Sequence, residues 1–121
     1  PILVTPVSRA VWDAEGNFLD THGDYPKAVL QVAAGDKVPV LDLETKTREL
    51  ILQLGQERAK SLFANAAPGD FANLPKGRSD GSHFNASGAC RVCDFAVQEM
   101  MTAVPDLAKW LRAGATDPMR K

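Results

Sequence analysis

What most limits this sequence is how few strands it offers. Two short apolar runs, Ile2-Leu3-Val4-Thr5-Pro6-Val7 and Val38-Pro39-Val40-Leu41-Asp42-Leu43, alternate with segments of helical periodicity. The first is apolar on both faces and reads as a buried strand closed by Pro6. Strands that alternate with helices predict an α/β layered fold around a parallel sheet. A parallel sheet needs both faces and its neighbours covered, and two strands alone are marginal. Either the short segments hide further strands or the chain is incomplete on its own, and incompleteness is the expectation.

The connecting segments have their own signals. Trp12 to Leu19 reads as an excursion that turns at Glu15-Gly16-Asn17, with Trp12 and Phe18 packing across it. Pro26 suits a helix first turn with Asp24 as N-cap, Ala28, Val29, Val32 and Ala33 follow at helical spacing, and Gly35-Asp36 marks the stop. Thr47, Leu50, Ile51 and Leu54 form the clearest stripe, which Gly55 ends or bends. Residues 66–82, rich in Pro, Gly, Asp, Asn and Lys, predict a long irregular loop of the kind that carries function or stays disordered. Helix returns over 85–103, with Ala89, Cys93, Ala96, Met100 and Val104 on one side. Leu107, Trp110 and Leu111 suggest a last amphipathic turn, and the tail from Gly114 to Lys121 is expected to fray.

Composition narrows the function classes. The 121 residues carry 14 Lys plus Arg against 15 Asp plus Glu, a formal net charge of −1, so no basic footprint for nucleic acid or a membrane surface is present. No apolar run approaches the roughly 20 residues of a membrane-spanning helix. No signal-peptide pattern opens the chain, and a start at Pro1 rather than Met is compatible with a removed leader. The Gly residues form no phosphate-binding pattern, and the two His, two Cys and scattered carboxylates have no zinc spacing. Cys90 and Cys93 have redox-motif spacing but lie within an apolar helix with no strand leading into them. They are expected to be small buried core thiols.

The chemistry-bearing stretch is Asp80-Gly81-Ser82-His83. An Asp three residues before a His, in a loop that feeds a helix, can fold back so that its carboxylate meets imidazole Nδ1. Nε2 is then free to take a proton from a nucleophile. The same residues also suit an Asx-turn closed by Asp80 at Gly81, with His83 merely a polar residue near a helix start.

Asp80-Gly81-Ser82-His83-Phe84-Asn85, with Gly88-Ala89 after it, resembles the last conserved block of the SGNH (GDSL-type) esterases, in the rhamnogalacturonan acetylesterase branch. Thr5-Pro6-Val7-Ser8-Arg9 with Trp12-Asp13, Thr21-His22-Gly23-Asp24-Tyr25-Pro26, and the strand 38–43 followed by a long helix agree with that branch in order and spacing. The resemblance covers residues 1–104 and leaves 105–121 as a terminal helix and tail. It implies a partial three-layer flavodoxin-like fold and hydrolysis of carboxylic esters, with O-acetyl groups of a plant cell-wall polysaccharide as substrate. His83 is then the general base and acid, Asp80 its orienting carboxylate, and Phe84 and Asn85 shape the turn that presents His83.

The resemblance further implies chemistry on side chains alone, with no metal or organic cofactor, and export by analogy with relatives that act on polysaccharides. The family's nucleophile stands in a Gly-Asp-Ser motif. Here the serines are at 8, 61, 79, 82 and 87, and Gly69-Asp70 is followed by Phe71, so no nucleophile is identified in this chain. The resemblance then implies that the apolar edge of residues 2–7 pairs with a missing N-terminal half or with a second copy of the chain. Two other readings stay open: a non-catalytic module that assembles with a partner chain, and an esterase for lipid or small-molecule esters. By the same analogy His22 borders the substrate cleft, though a turn histidine beside a helix cap fits equally. Tyr25 and Trp12 offer faces for sugar stacking, against the commoner role of large aromatics in cores, and Arg9 offers a charge for an acidic sugar, against a solvated surface role.

Overall fold

The computed structural model describes residues 1–112 and Gly114. Two strands, β1 (Leu3–Val4) and β2 (Val40–Leu41), pair in parallel with Leu3 opposite Val40 and Val4 opposite Leu41. Between them runs helix α1 (Tyr25–Asp36), and after them come α2 (Leu43–Ala59), a 3-10 turn (Lys60–Leu62), α3 (Ala86–Ala103) and the single turn α4 (Pro105–Ala108). The arrangement is mixed helix and strand around a small parallel sheet. The tail residues expected to fray lie, apart from Gly114, outside the described residues.

Both strands are shorter than the apolar runs that signal them. The ladder bonds run from Leu3 N to Pro39 O (2.9 Å) and from Thr5 N to Leu41 O (3.0 Å), and the pairing goes no further because β2 turns into helix after Leu41. Val38 and Pro39 lie before β2. At its other end Asp42 accepts from Thr45 N (3.3 Å) as the N-cap of α2, so Leu43 is already helical. The expectation of a strand buried on both faces is overturned for Val4, which is exposed, because no layer of the described chain covers its side.

Buried hydroxyls tie the segment after β1 to the start of α2. Thr5 Oγ1 donates to Asp42 Oδ1 (3.0 Å) and accepts from Glu44 N (2.8 Å), while Ser8 N donates to Thr47 Oγ1 (2.9 Å). Thr5, Ser8 and Thr47 are buried, and their bonds satisfy polar groups that burial would otherwise penalise. The α2 stripe packs as its spacing implies: Ile51, Ala59, Leu62 and Phe63 form the buried cluster, with Leu50, Leu54, Trp12, Phe18 and Phe84 against it. Trp12 and Phe18 meet edge to face at 5.5 Å across the turn. Gly55, with φ 71° and ψ 171°, is non-helical and divides α2 into two helical segments across a kink.

Helices α1 and α3 correct three further expectations. Asp24 occupies the N-cap position of α1 without a capping bond, since its carboxylate reaches Lys27 Nζ at 3.3 Å instead. The helix ends at Asp36, as Gly35-Asp36 signals, and closes through Lys37, whose φ of 54° lets Val38 N bond Ala33 O. Of its apolar stripe Ala33 is buried, whereas Val32 is 52% exposed. On α3, Ala89 and Cys93 face solvent. The packed face passes through Gly88, which is buried against the Leu62 carbonyl where a Cβ has no room, and Glu99, which accepts from Asp42 N at 3.3 Å.

Cys90 and Cys93 are accordingly free and exposed, and the expectation of buried thiols is wrong. The helix is rotated so that Gly88 takes the crowded position and the cysteines turn outward. Trp110, beyond α4, is also exposed rather than packed.

Candidate active site

The segment between Phe63 and Asn85 leaves the core and returns beside its own start. Ala64 N donates to His83 O (2.8 Å), and Ala66 and Arg78 exchange both backbone bonds (2.9 and 2.8 Å). Phe63, almost fully buried, stacks on Phe84 with ring centroids 4.8 Å apart. Asn85 caps α3 by accepting from Gly88 N (3.0 Å), and its amide nitrogen donates to Ser61 O and Phe63 O. His83 is therefore flanked by an aromatic stack and a helix cap, both anchored on the hydrophobic cluster.

Asp80 is held from outside its own turn. Its amide donates to Asn65 Oδ1 (2.8 Å), and Asn65 Nδ2 donates to Lys60 O (2.9 Å). Next to it Gly81 O accepts from Ala10 N (2.8 Å), and the Ala10 carbonyl stands where a side chain at position 81 would begin.

The carboxylate of Asp80 divides its work between its two oxygens. Oδ1 accepts the amides of Ser82 and His83, each at 2.8 Å, which is an Asx-turn. Oδ2 lies 2.9 Å from His83 Nδ1 and pairs with Arg78 Nη2. The turn and the Asp-His contact coexist in one side chain. Chiefly the His83 amide, then the Ser82 amide, and after them the His83 ring and the Arg78 guanidinium, hold the Asp80 carboxyl well below the usual carboxylate range.

Exposure differs sharply across the pair. The Asp80 side chain is 6% exposed and the His83 side chain 73%. An ionised carboxylate accepts and a guanidinium donates, so the 2.9 Å contact assigns the Nδ1 proton to the bond with Asp80. Nε2 is then the basic nitrogen, and among the described residues no side chain hydrogen-bonds to it. Chemically this is an oriented imidazole that can accept and return a proton at its open side.

The other expected residues lie in separate surroundings. His22 is half-buried in the turn before α1, where its amide and that of Gly23 donate to Asp20 Oδ1 (3.0 and 3.2 Å). Chiefly through that His22 amide, the Asp20 carboxyl is held below its ordinary value. Tyr25, 78% exposed, opens α1 beside a shallow hollow shared with Asp24 and Ala28, and Arg9 is exposed. Among the described residues no hydrogen bond joins Arg9, His22 or Tyr25 to Asp80 or His83.

Ser8 donates to Glu44 Oε1 (3.1 Å) and Ser61 to Arg58 O (2.8 Å), and no serine hydroxyl bonds to His83 among the described residues. Two residues of the site escaped sequence reasoning. Arg78 stands two before Asp80, a spacing that places side chains on one side of an extended segment. Asn65 is fifteen residues away and carries no local signal.

The chain is 37% identical over 98 residues to rhamnogalacturonan acetylesterase RhgT of Bacillus subtilis (strain 168), a match that takes in 81% of this chain and 42% of that protein. It is 32% identical over 89 residues to the probable rhamnogalacturonan acetylesterase YesY of the same strain, covering 74% of this chain and 36% of that protein. The chain thus spans less than half the length of either relative. No family model matches it, and no solved structure matches it significantly.

Proposed function

We propose, from the premise that this chain is a relative of the rhamnogalacturonan acetylesterases over most of its own length, that it supplies the His and Asp of a Ser-His-Asp esterase triad. The observation that carries the reading is the Asp80–His83 pair, with its covered carboxylate and open Nε2. On this reading residues 1–104 are the C-terminal portion of a three-layer SGNH hydrolase domain. The nucleophilic serine and the oxyanion donors belong to the part of the domain that the relatives have and these residues lack.

His83 Nε2 takes the serine proton as the hydroxyl oxygen attacks the ester carbonyl, and the imidazolium returns that proton to the departing sugar alcohol. Water then attacks the acyl-enzyme with His83 again as base, releasing acetate and restoring the serine. Asp80 keeps Nδ1–H pointed at itself throughout and balances the transient positive charge. The substrate class is an O-acetylated polysaccharide, with Tyr25, His22 and Arg9 as candidates for holding its sugars. β1, with Val4 uncovered, is the edge on which the remaining strands would add.

A second reading has its own observation: no serine hydroxyl of the described residues meets His83, as in a module that assembles without catalysing. Treating the purified protein with a fluorophosphonate serine probe and measuring intact mass separates the two. Labelling of a serine outside these 121 residues, lost in a denatured control, supports the triad. Labelling of one of this chain's own serines overturns the mapping, and the absence of any label supports the module.

A further inference from the structure

Asp80 Oδ2 has two donors, and the second one is not part of a Ser-His-Asp triad. Arg78 leaves the backbone from a fixed point, because its amide and carbonyl both pair with Ala66 (2.8 and 2.9 Å). From there Nη2 pairs with Asp80 Oδ2 and stands 3.3 Å from His83 Nδ1. The three atoms form a triangle. A guanidinium has no acceptor, so it either donates to the carboxylate or offers a proton to a bare Nδ1. The 2.9 Å Nδ1–Oδ2 contact favours the first, with both donors converging on one oxygen.

We propose that Arg78 is a positioning residue for the Asp80–His83 pair, a role that rests on the esterase reading of the site. Its charge and its Nη2 donor hold Oδ2 where Nδ1–H must point, so Arg78 selects the tautomer that leaves Nε2 basic. With Arg78 gone, Oδ1 is still fixed by the Ser82 and His83 amides, but Oδ2 keeps a single neutral donor. The carboxylate then exchanges that donor for water more readily, and the imidazole samples its other tautomer. Arg78 also lines a hollow with Lys60, Asn65, Lys76 and Ser79, so direct binding of a substrate anion is the rival role.

The test uses the intact protein with Arg78→Ala and Arg78→Lys. Positioning predicts that Arg78→Ala lowers kcat on an acetyl ester by about 10-fold while KM moves less than about twofold. Arg78→Lys, which keeps a charged donor, recovers most of the loss. Nitrogen NMR of His83, at a pH where the ring is neutral, should show Nδ1 protonated in the parent and Arg78→Lys proteins and a tautomer mixture in Arg78→Ala.

A raised KM with unchanged kcat would instead make Arg78 a substrate ligand and overturn the proposal. Unchanged kinetics and an unchanged tautomer would make it a solvated surface arginine and overturn it equally. His83→Ala tests the esterase reading separately, since the tautomer measurement on Arg78 variants needs no turnover.

Discussion

The side-chain oxygen of Asn65 accepts the backbone amide of Asp80 at 2.8 Å, across fifteen residues of chain. Through its own amide nitrogen Asn65 is tied to Lys60 O, at the end of the core helix. The Asp-His pair is thereby braced against the hydrophobic cluster rather than left to its own turn. Asn65→Ala should lower stability by about 1–2 kcal/mol, since two hydrogen bonds lose their partner. It should also reduce kcat less than loss of His83 does. A denaturant titration paired with kinetics checks both.

His83→Ala removes the proposed base and should lower kcat on the order of 10³-fold or more in the intact enzyme, with little change in KM. Asp80→Asn, which cannot fix the same tautomer as an anion does, should also fall steeply. Near-parental rates for either variant would contradict the triad assignment.

The lowered Asp80 pKa sets a pH window for stability. A carboxylate held below its ordinary value of 3.8 favours the folded state above that value, and the contribution disappears as pH falls through the lowered one. The stability gap between the parent and Asp80→Asn should therefore be level above about pH 5 and narrow below about pH 4. Thermal melts from about pH 7 down to about pH 3 cover the level region and the onset of the narrowing. A gap that widens on acidification would reverse the sign.

Thr47→Val keeps the shape of a buried side chain and removes the acceptor for Ser8 N. The orphaned amide should cost about 1–3 kcal/mol. Chemical denaturation of the variant reads this directly, and an unchanged midpoint would mean that the amide has found another partner.

Cys90 and Cys93 are both exposed. Under native, reducing conditions iodoacetamide should therefore modify both thiols without prior unfolding. Intact mass before and after treatment shows it, and protection of either thiol until denaturant is added would place it inside the fold.

The parts of the molecule readable in the sequence are those set by local pattern. The Thr47, Leu50, Ile51, Leu54 stripe, the break at Gly55, and the Trp12–Phe18 contact arise from spacing and from a turn signal. The Asp80–His83 approach arises from a short motif in a loop before a helix. What escaped depends on contacts made across the chain. Position 88 must be a glycine facing the Leu62 carbonyl, and that close approach, invisible in periodicity, rotates α3 and turns the cysteines outward. Thr5, a polar residue within an apolar run, and Ser8, just after it, carry no sequence sign of burial, yet their partners on α2 make them core residues. Val32 reads as a packed residue because its spacing is right, although no described layer covers it.

The paired backbones of Ala66 and Arg78 form a waist in the long loop. Beyond it, the backbone hydrogen bonds of residues 67–77 close on themselves, from Asp70 to Ala67, Leu74 to Phe71, and Gly77 to Leu74. The tip is a place where the chain can gain or lose residues, or carry a reporter group between Ala72 and Asn73, without the imidazole three residues beyond Asp80 being displaced. Sequence length can change there while the Asp80–His83 pair stays still, because the turn that carries the pair ends on the core.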